Sequence, residues 1–271
     1  MTSPAELIAR WPVGSAAAAW TRADGSIATV ADQDRTYRLA SVTKPLVAHA
    51  ILIAVEEGTL SFDQPAGPDG STIAHLLGHA SGLGPEARDP VTEAATRRIY
   101  SNAGFEVLGA ELEKASGITM ADYLREAVCE PLGMMSTWLD GSPAHGAISS
   151  VSDLVKFCQE WLSPTLLHYG TAQMAVSPFL SGLDGVLPGY GRQSPNTWGL
   201  GFELRATKQP HWTAPSAGPH VFGHFGAAGT FLWVDRELGR FGACLTDTPF
   251  GPWAIDAWPV FNEALLADRS S

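Results

Sequence analysis

Ser41 and Lys44 stand three residues apart in "RLASVTKPLVAHAILIAVEEG" (38–58), at the head of a stretch, Pro45 to Val55, that is almost wholly apolar. An apolar run of this length is expected to form a helix buried on every side. Residues three apart on a helix share a face, so the Lys44 amine can reach the Ser41 hydroxyl: a nucleophile with a base beside it. The first turn of a helix also offers unpaired backbone N–H groups to a developing oxyanion, and Pro45 sits early enough to cost the helix little. Burial and the positive helix end both lower a lysine pKa, which would let Lys44 accept the serine proton.

A Ser-x-x-Lys spacing arises by chance about once in a chain of this length. Here it occurs once, and further chemistry-bearing residues follow in order. "RIYSNAGFEVLGAELEKASG" (98–117) supplies Tyr100 and Asn102, and "FGHFGAAGTFLWV" (222–234) supplies His224, Phe225 and Gly226. Taken alone, Tyr100 reads equally well as a core aromatic and Asn102 as a helix cap. A second His-x-Gly stands at His168 to Gly170; His224 is preferred because small residues follow it and strand-like runs flank it.

Together these three motifs resemble the serine β-lactamase and penicillin-binding protein superfamily, in the branch of class C β-lactamases, D-alanyl-D-alanine carboxypeptidases and family VIII esterases. "EEGTLSFDQP", "HLLGHASGL", "EPLGMMST" and "SSVSDLVKF" agree with that branch, and the resemblance runs from roughly Arg38 to Asp247. It implies a β-lactamase/transpeptidase-like fold in which Ser41 forms an acyl-enzyme while Lys44 and Tyr100 share proton transfer. Asn102, His224, Phe225 and Gly226 would bind substrate, and the backbone N–H groups of Ser41 and Ala227 would form the oxyanion hole. The third motif departs from the usual Lys-Thr-Gly or Lys-Ser-Gly. A largely neutral imidazole and a phenyl ring make a poor anion site, so small carboxylic esters or amides are expected as substrates. Weak β-lactamase or D-Ala-D-Ala carboxypeptidase activity is the nearer alternative, and a non-catalytic penicillin-binding-like sensor the more distant one.

The elements that must position these residues follow from pattern. Asp24-Gly25 marks a hairpin turn near the start. Helical patterns cover Leu46–Glu57, Ala103–Ala115, Met120–Glu130 and Asp153–Leu162, with Ser150 to Asp153 shaped as a capping box. Pro, Gly and aromatics dominate 163–216, predicting long surface loops around a short strand at "WGLGFEL"; Trp198, Trp212, Tyr190 and Phe225 are candidates to line a cleft. Strands return at "HVFGHFG", "GTFLWVD" and "RFGACLTD", and a helix from about Trp253 to Ala267, kinked near Pro259, closes the chain. Sheet at both ends with helices between predicts an α+β fold whose sheet both chain termini build. The expected division is a sheet-containing lobe of 1–40 and 195–271 and a mainly helical lobe of 41–194, one catalytic unit with the site between.

With 271 residues, 45% hydrophobic and 17% charged, the chain can bury a substantial core. A formal charge of −11 argues against nucleic acid or an anionic membrane as partner, and the resemblance implies a small-molecule ester, amide or β-lactam-like substrate. Three widely spaced cysteines suit free thiols in a reducing compartment, and the N-terminal stretch lacks a signal-peptide pattern, so a cytoplasmic location is expected. His211, His220 and His224 lack a zinc-binding spacing; His49 and His75 read as core or supporting residues. Neither metal nor cofactor is expected.

Overall fold

The computed structural model describes residues 2–268. The chain runs through helix α1 (Pro4–Ile8), the hairpin β1 (Ala16–Thr21) and β2 (Ile27–Val30), and β3 (Thr36–Arg38), then a 3-10 turn at Ala40–Val42 that leads directly into α2 (Thr43–Glu56). Next come α3 (Ile73–Leu77), α4 (Asn102–Ser116), α5 (Met120–Leu124) with a π-helical turn at Arg125–Cys129, β4 (Trp138–Leu139), β5 (Ala147–Ser150) and α6 (Val151–Leu162). After α7 (Tyr169–Ala175) follow β6 (Gly185–Leu187), β7 (Gly191–Gln193), β8 (Glu203–Leu204), β9 (Phe222–Gly226), β10 (Thr230–Asp235), β11 (Arg240–Thr246) and α8 (Pro252–Ala267).

Six antiparallel strands form the main sheet in the order β2-β1-β11-β10-β9-β8. Its centre joins the two ends of the chain: Ala18 of β1 pairs with Cys244 of β11, and Ala19 with Ala243. Alternation then sorts side chains to two buried faces. Leu232, Val234, Ala243 and Leu245 pack in the larger core with α2 and α6, while Phe225, Phe231, Trp233 and Cys244 pack against Trp258, Phe261 and Leu265 of α8. A sheet covered on both faces needs apolar residues at nearly every position, as "GTFLWVD" and "RFGACLT" supply. Helix α8 continues through Pro259, with Asn262 buried against the sheet: it accepts from Trp233 Nε1 (2.8 Å) and donates to the Trp212 carbonyl (3.0 Å).

The α+β expectation and the sheet completed by both ends hold. Besides its helices the stretch 41–194 carries the short strands β4 to β7, and β3, β5 and β4 form a separate small sheet. Two local expectations do not hold. Residues 163–216 are surface only in part: Tyr169 is exposed, but Trp198, Phe202 and Trp212 turn inward, Phe202 lying 4.4 Å from Trp161. At α6, Ser150 accepts from the Asp153 N–H (3.3 Å), but the Asp153 carboxylate turns to Ser136 and Thr137 rather than completing the box.

Arg98 ties this inward fold together. Its buried guanidinium donates to the carbonyls of Gly78, Phe179, Leu180 and Asn196, fixing three segments around the approach to Tyr100. Arg98→Met would leave those carbonyls without a donor, and each buried orphan costs about 1–3 kcal/mol. We expect urea denaturation to show a loss of roughly 3 kcal/mol or more.

Candidate active site

Ser41 lies in the 3-10 turn rather than in the first turn of the α-helix, and Lys44 is the second residue of α2. The turn packs directly against the end of β9. A Cβ at Gly226 would stand 2.3 Å from the Leu39 carbonyl oxygen, 2.5 Å from Thr230 Oγ1 and 3.1 Å from the Ser41 nitrogen. Only glycine lets β9 close on the Ser41 backbone, and Thr230 Oγ1 fastens that contact by donating to Leu39 O (2.7 Å). The next residue, Ala227, is held through its carbonyl, which accepts from the Phe250 N–H (2.9 Å).

Lys44 is fully buried. Its Nζ donates to Asn102 Oδ1 (2.6 Å) and the Ala144 carbonyl (2.9 Å) and lies 3.4 Å from Ser41 Oγ and 4.6 Å from the centre of the Tyr100 ring. Burial pulls its pKa down to about 7, against the opposing pull of the Glu86 and Glu106 carboxylates. A neutral amine has two N–H bonds and one lone pair. Asn102 and Ala144 take the two hydrogens, which leaves the lone pair for Ser41. Asn102 is fixed in this orientation because its Nδ2 donates to Glu86 Oε1 (2.7 Å). It does not cap α4; Ser101 does, accepting from the Gly104 N–H (3.0 Å).

Tyr100 is brought to the same place. Its hydroxyl is buried and, among the described residues, has no hydrogen-bond partner, although it lies near enough to Ser41 for that hydroxyl to ease its ionisation. Burial outweighs this effect and raises its pKa above the ordinary tyrosine value. The ring is held by His79, 4.7 Å away, which also packs against Trp198 at 4.6 Å. His79 Nδ1 accepts from the Ser101 N–H (3.1 Å), so this one buried imidazole sets both the Tyr100 ring and the residue after it. The reading of single residues missed His79, although it sits in "HLLGHASGL".

His224 and Phe225 point to opposite faces of β9. His224 Nδ1 donates to its neighbour's carbonyl, Phe225 O (2.6 Å), which leaves Nε2 unprotonated; that nitrogen is buried and unpartnered among the described residues. Burial, then the nearby Lys44, push its pKa down to about 3, so the imidazole is neutral as expected from sequence. Phe225 packs against Phe250 (5.0 Å) and Trp258 (5.9 Å).

Ser41, Tyr100, Asn102, His224, Phe225 and Ala227 all line one cavity of about 280 Å³. Trp198, Leu187, Pro188 and Phe250 add an apolar wall, and Glu203 also borders it. Trp212 and Tyr190 lie behind the wall: Trp212 is 6.0 Å from Phe225, and Tyr190 packs on Phe225 and Phe250. The Glu203 carboxylate accepts from Lys208 Nζ (2.8 Å), His211 Nε2 (2.9 Å) and Trp212 Nε1 (2.6 Å). Burial would raise its pKa, but Lys208 and His211 together outweigh that and hold it well below the ordinary carboxylate range. Nothing local in the sequence marked Glu203.

The other histidines stay outside. His168 caps α7, His220 is exposed beside Glu237, and His49 is buried beside Phe157, Trp161 and Glu160. Among the described residues no cluster of His, Cys, Asp or Glu could hold a metal ion.

A family model described as Beta-lactamase matches residues 14–264. This chain belongs to the β-lactamase family. Over nearly their whole lengths, 98% of each, it is 48% identical to a β-lactamase from Mycobacterium bovis of known structure, with a TM-score of 0.95. Curated relatives include the esterase EstB of Burkholderia gladioli, 33% identical over 38% of each chain, and penicillin-binding protein 4* of Bacillus subtilis, 30% identical over 52% of this chain. The chain spans only 38% and 48% of the lengths of those two. A simvastatin synthase variant from Aspergillus terreus shares the fold, with a TM-score of 0.81 at 18% identity over 97% of this chain and 96% of its own.

Gly226→Ala should test the closure of β9 on Ser41. Two of its clashing atoms belong to the Leu39–Ser41 backbone, so we expect a stability loss of about 1–3 kcal/mol in denaturation. In a crystal structure of the variant, the Ser41 turn should be displaced from the end of β9.

Proposed function

We infer that the protein is a serine hydrolase that works through a covalent acyl-enzyme on small, uncharged carboxylic esters or amides. The observation that carries this reading is the buried Lys44 amine, with both of its hydrogens engaged elsewhere, 3.4 Å from Ser41 Oγ. Lys44 takes the Ser41 proton as Oγ bonds to the acyl carbon. The carbonyl oxygen becomes an oxyanion received by the Ser41 and Ala227 N–H groups, a kind of donor worth roughly 2.7–4 kcal/mol. The bond to the leaving group then breaks, the proton passes to that group from Lys44 by way of Tyr100, and water repeats the cycle to release the acid.

Tyr100 serves as a neutral hydroxyl that passes a proton, because burial raises its pKa away from the phenolate. Asn102 holds Lys44 and is close enough to the cavity to meet the substrate. The esterase relative fits this reading, as does the apolar wall. The sheet end supplies Gly226 and Ala227, and the helical segments supply Ser41, Lys44 and Asn102, so the chain acts as one catalytic unit. A cytoplasmic setting belongs to the same reading, supported by Cys129, Cys158 and Cys244, all buried free thiols. β-Lactam hydrolysis is the second reading, favoured by the likeness to the Mycobacterium bovis β-lactamase. Against it stands the neutral His224 where the family's lysine would meet a carboxylate.

Intact mass after a fluorophosphonate probe, with p-nitrophenyl butyrate turnover in parallel, should show one adduct and activity in the wild type and neither in Ser41→Ala. An unlabelled wild type would overturn the assignment and favour a binding protein. Lys44→Met should lower kcat by roughly 10²–10⁴-fold, as loss of a general base does. Because the neutral amine is the active form, kcat/KM should rise with pH around a midpoint near 7 and level off above it. Glu86 favours the ammonium, so Glu86→Gln should move that midpoint to lower pH. A chromogenic cephalosporin should be turned over far more slowly than the ester; the reverse order would install the β-lactam reading.

A further inference from the structure

The cavity beside Ser41 has an unusual polar inventory. Among the described residues that line it, none is lysine or arginine, and the one formal charge is the Glu203 carboxylate. Lys44 stands behind Ser41 and does not border the cavity. Two buried side-chain atoms of the described lining are left without a partner, the Tyr100 hydroxyl and His224 Nε2, and of these only Nε2 is a pure acceptor. The His224 tautomer follows from geometry: a carbonyl can only accept, so in the neutral ring that burial favours, the 2.6 Å contact with Phe225 O places the proton on Nδ1 and the lone pair on Nε2. His224 is 3% exposed, with Tyr100 and Trp198 against its ring at 5.7 and 5.5 Å. No side chain from these neighbours satisfies it.

A buried acceptor without a donor is costly, and native structures rarely keep one unless a ligand or water meets it. Here the unsatisfied atom is an acceptor, in the strand position where a cation would serve an anionic substrate. A substrate carboxylate would bring a second acceptor to Nε2. An uncharged O–H or N–H would bring the donor that Nε2 lacks.

We propose that this pocket selects acyl substrates carrying an uncharged hydroxyl or N–H close to the scissile carbonyl, which donates to His224 Nε2, and that it rejects carboxylates at the same place. The proposal rests on the acyl-enzyme reading above and names its substrate class. Leu187, Pro188, Phe225 and Phe250 supply the apolar contact for the rest of the acyl group. His224 is thus a specificity-determining residue, while the Glu203 carboxylate, already engaged by Lys208, His211 and Trp212, brings no donor to a substrate anion.

The test uses three phenyl esters with matched acyl chains: butyrate, 3-hydroxybutyrate and hydrogen succinate. Phenol release is followed above the buffer rate for the wild type, His224→Leu and His224→Gln, whose side-chain oxygen can take the place of Nε2. We expect kcat/KM for the hydroxy ester to exceed that for the butyrate by roughly tenfold in the wild type, about the worth of one good hydrogen bond. The succinate should be the poorest of the three. The preference should vanish in His224→Leu and return at least in part in His224→Gln. Equal rates for the hydroxy and plain esters in the wild type, or a wild-type preference for the succinate, would overturn the proposal, and that comparison stands even if the leucine variant does not fold. A preference unchanged in a folded His224→Leu would overturn it too. Continued turnover of p-nitrophenyl butyrate in these experiments would show that the acyl-enzyme reading survives the loss of this one; its absence would show that the broader reading had failed.

Discussion

An ammonium group buried without a counter-ion in contact is unstable, and the rest of this site is organised around the way the protein resolves that for Lys44. The amine is not paired with a carboxylate; it meets a carboxamide oxygen, a backbone carbonyl and a serine hydroxyl, all uncharged. The nearest carboxylates, Glu86 and Glu106, act at longer range and only partly offset burial. Such surroundings favour the free base near neutral pH. Once the amine is neutral, the same three contacts dictate where its lone pair points, and under the proposed mechanism that lone pair serves Ser41 as its base.

The fold is what keeps those contacts in register. Lys44 lies on the apolar helix α2, so its depth is set by the packing of Leu46, Val47, Ile51 and their neighbours in the core. Ser41 is set from the other side, by the end of β9, where glycine permits the close approach of strand to turn. That strand belongs to a sheet whose central pairing joins the first and last thirds of the chain. Arg98, the Asn262 contacts and the Glu203 cluster each hold distant segments by hydrogen bonds between buried groups. Residues brought together from positions near 41, 100, 144 and 224 therefore depend on long-range contacts throughout.

How much of this was legible in the sequence differed by the range of the interaction involved. Ser41 and Lys44 were readable because a spacing of three at a helix start is a local rule, and the strands of the second half because their apolar, aromatic-rich runs and the turns between them are local as well. Asn102 was readable only in part: its residue type permitted a cap, and the structure gives that task to Ser101 and frees Asn102 for Lys44. His79 and Glu203 carry no local mark, since their roles come from the aromatic stack on Tyr100 and from partners brought in by the 203–213 segment. The inward turn of 163–216 was hidden for a related reason. Glycine and proline announce a change of direction, but only the tertiary cavity decides whether the aromatics between them face water or core.

The central claim is that Lys44 is a free amine near neutral pH, and the chain suits a direct test because it has only four lysines: Lys44, Lys114, Lys156 and Lys208. We would label the lysine ε-carbons with ¹³C and follow their shifts by NMR between pH 5 and 11, assigning the Lys44 signal by its loss in Lys44→Met. The account predicts that this signal titrates near pH 7. A Lys44 signal that stays in the ammonium position until about pH 10, the ordinary lysine range, would contradict it.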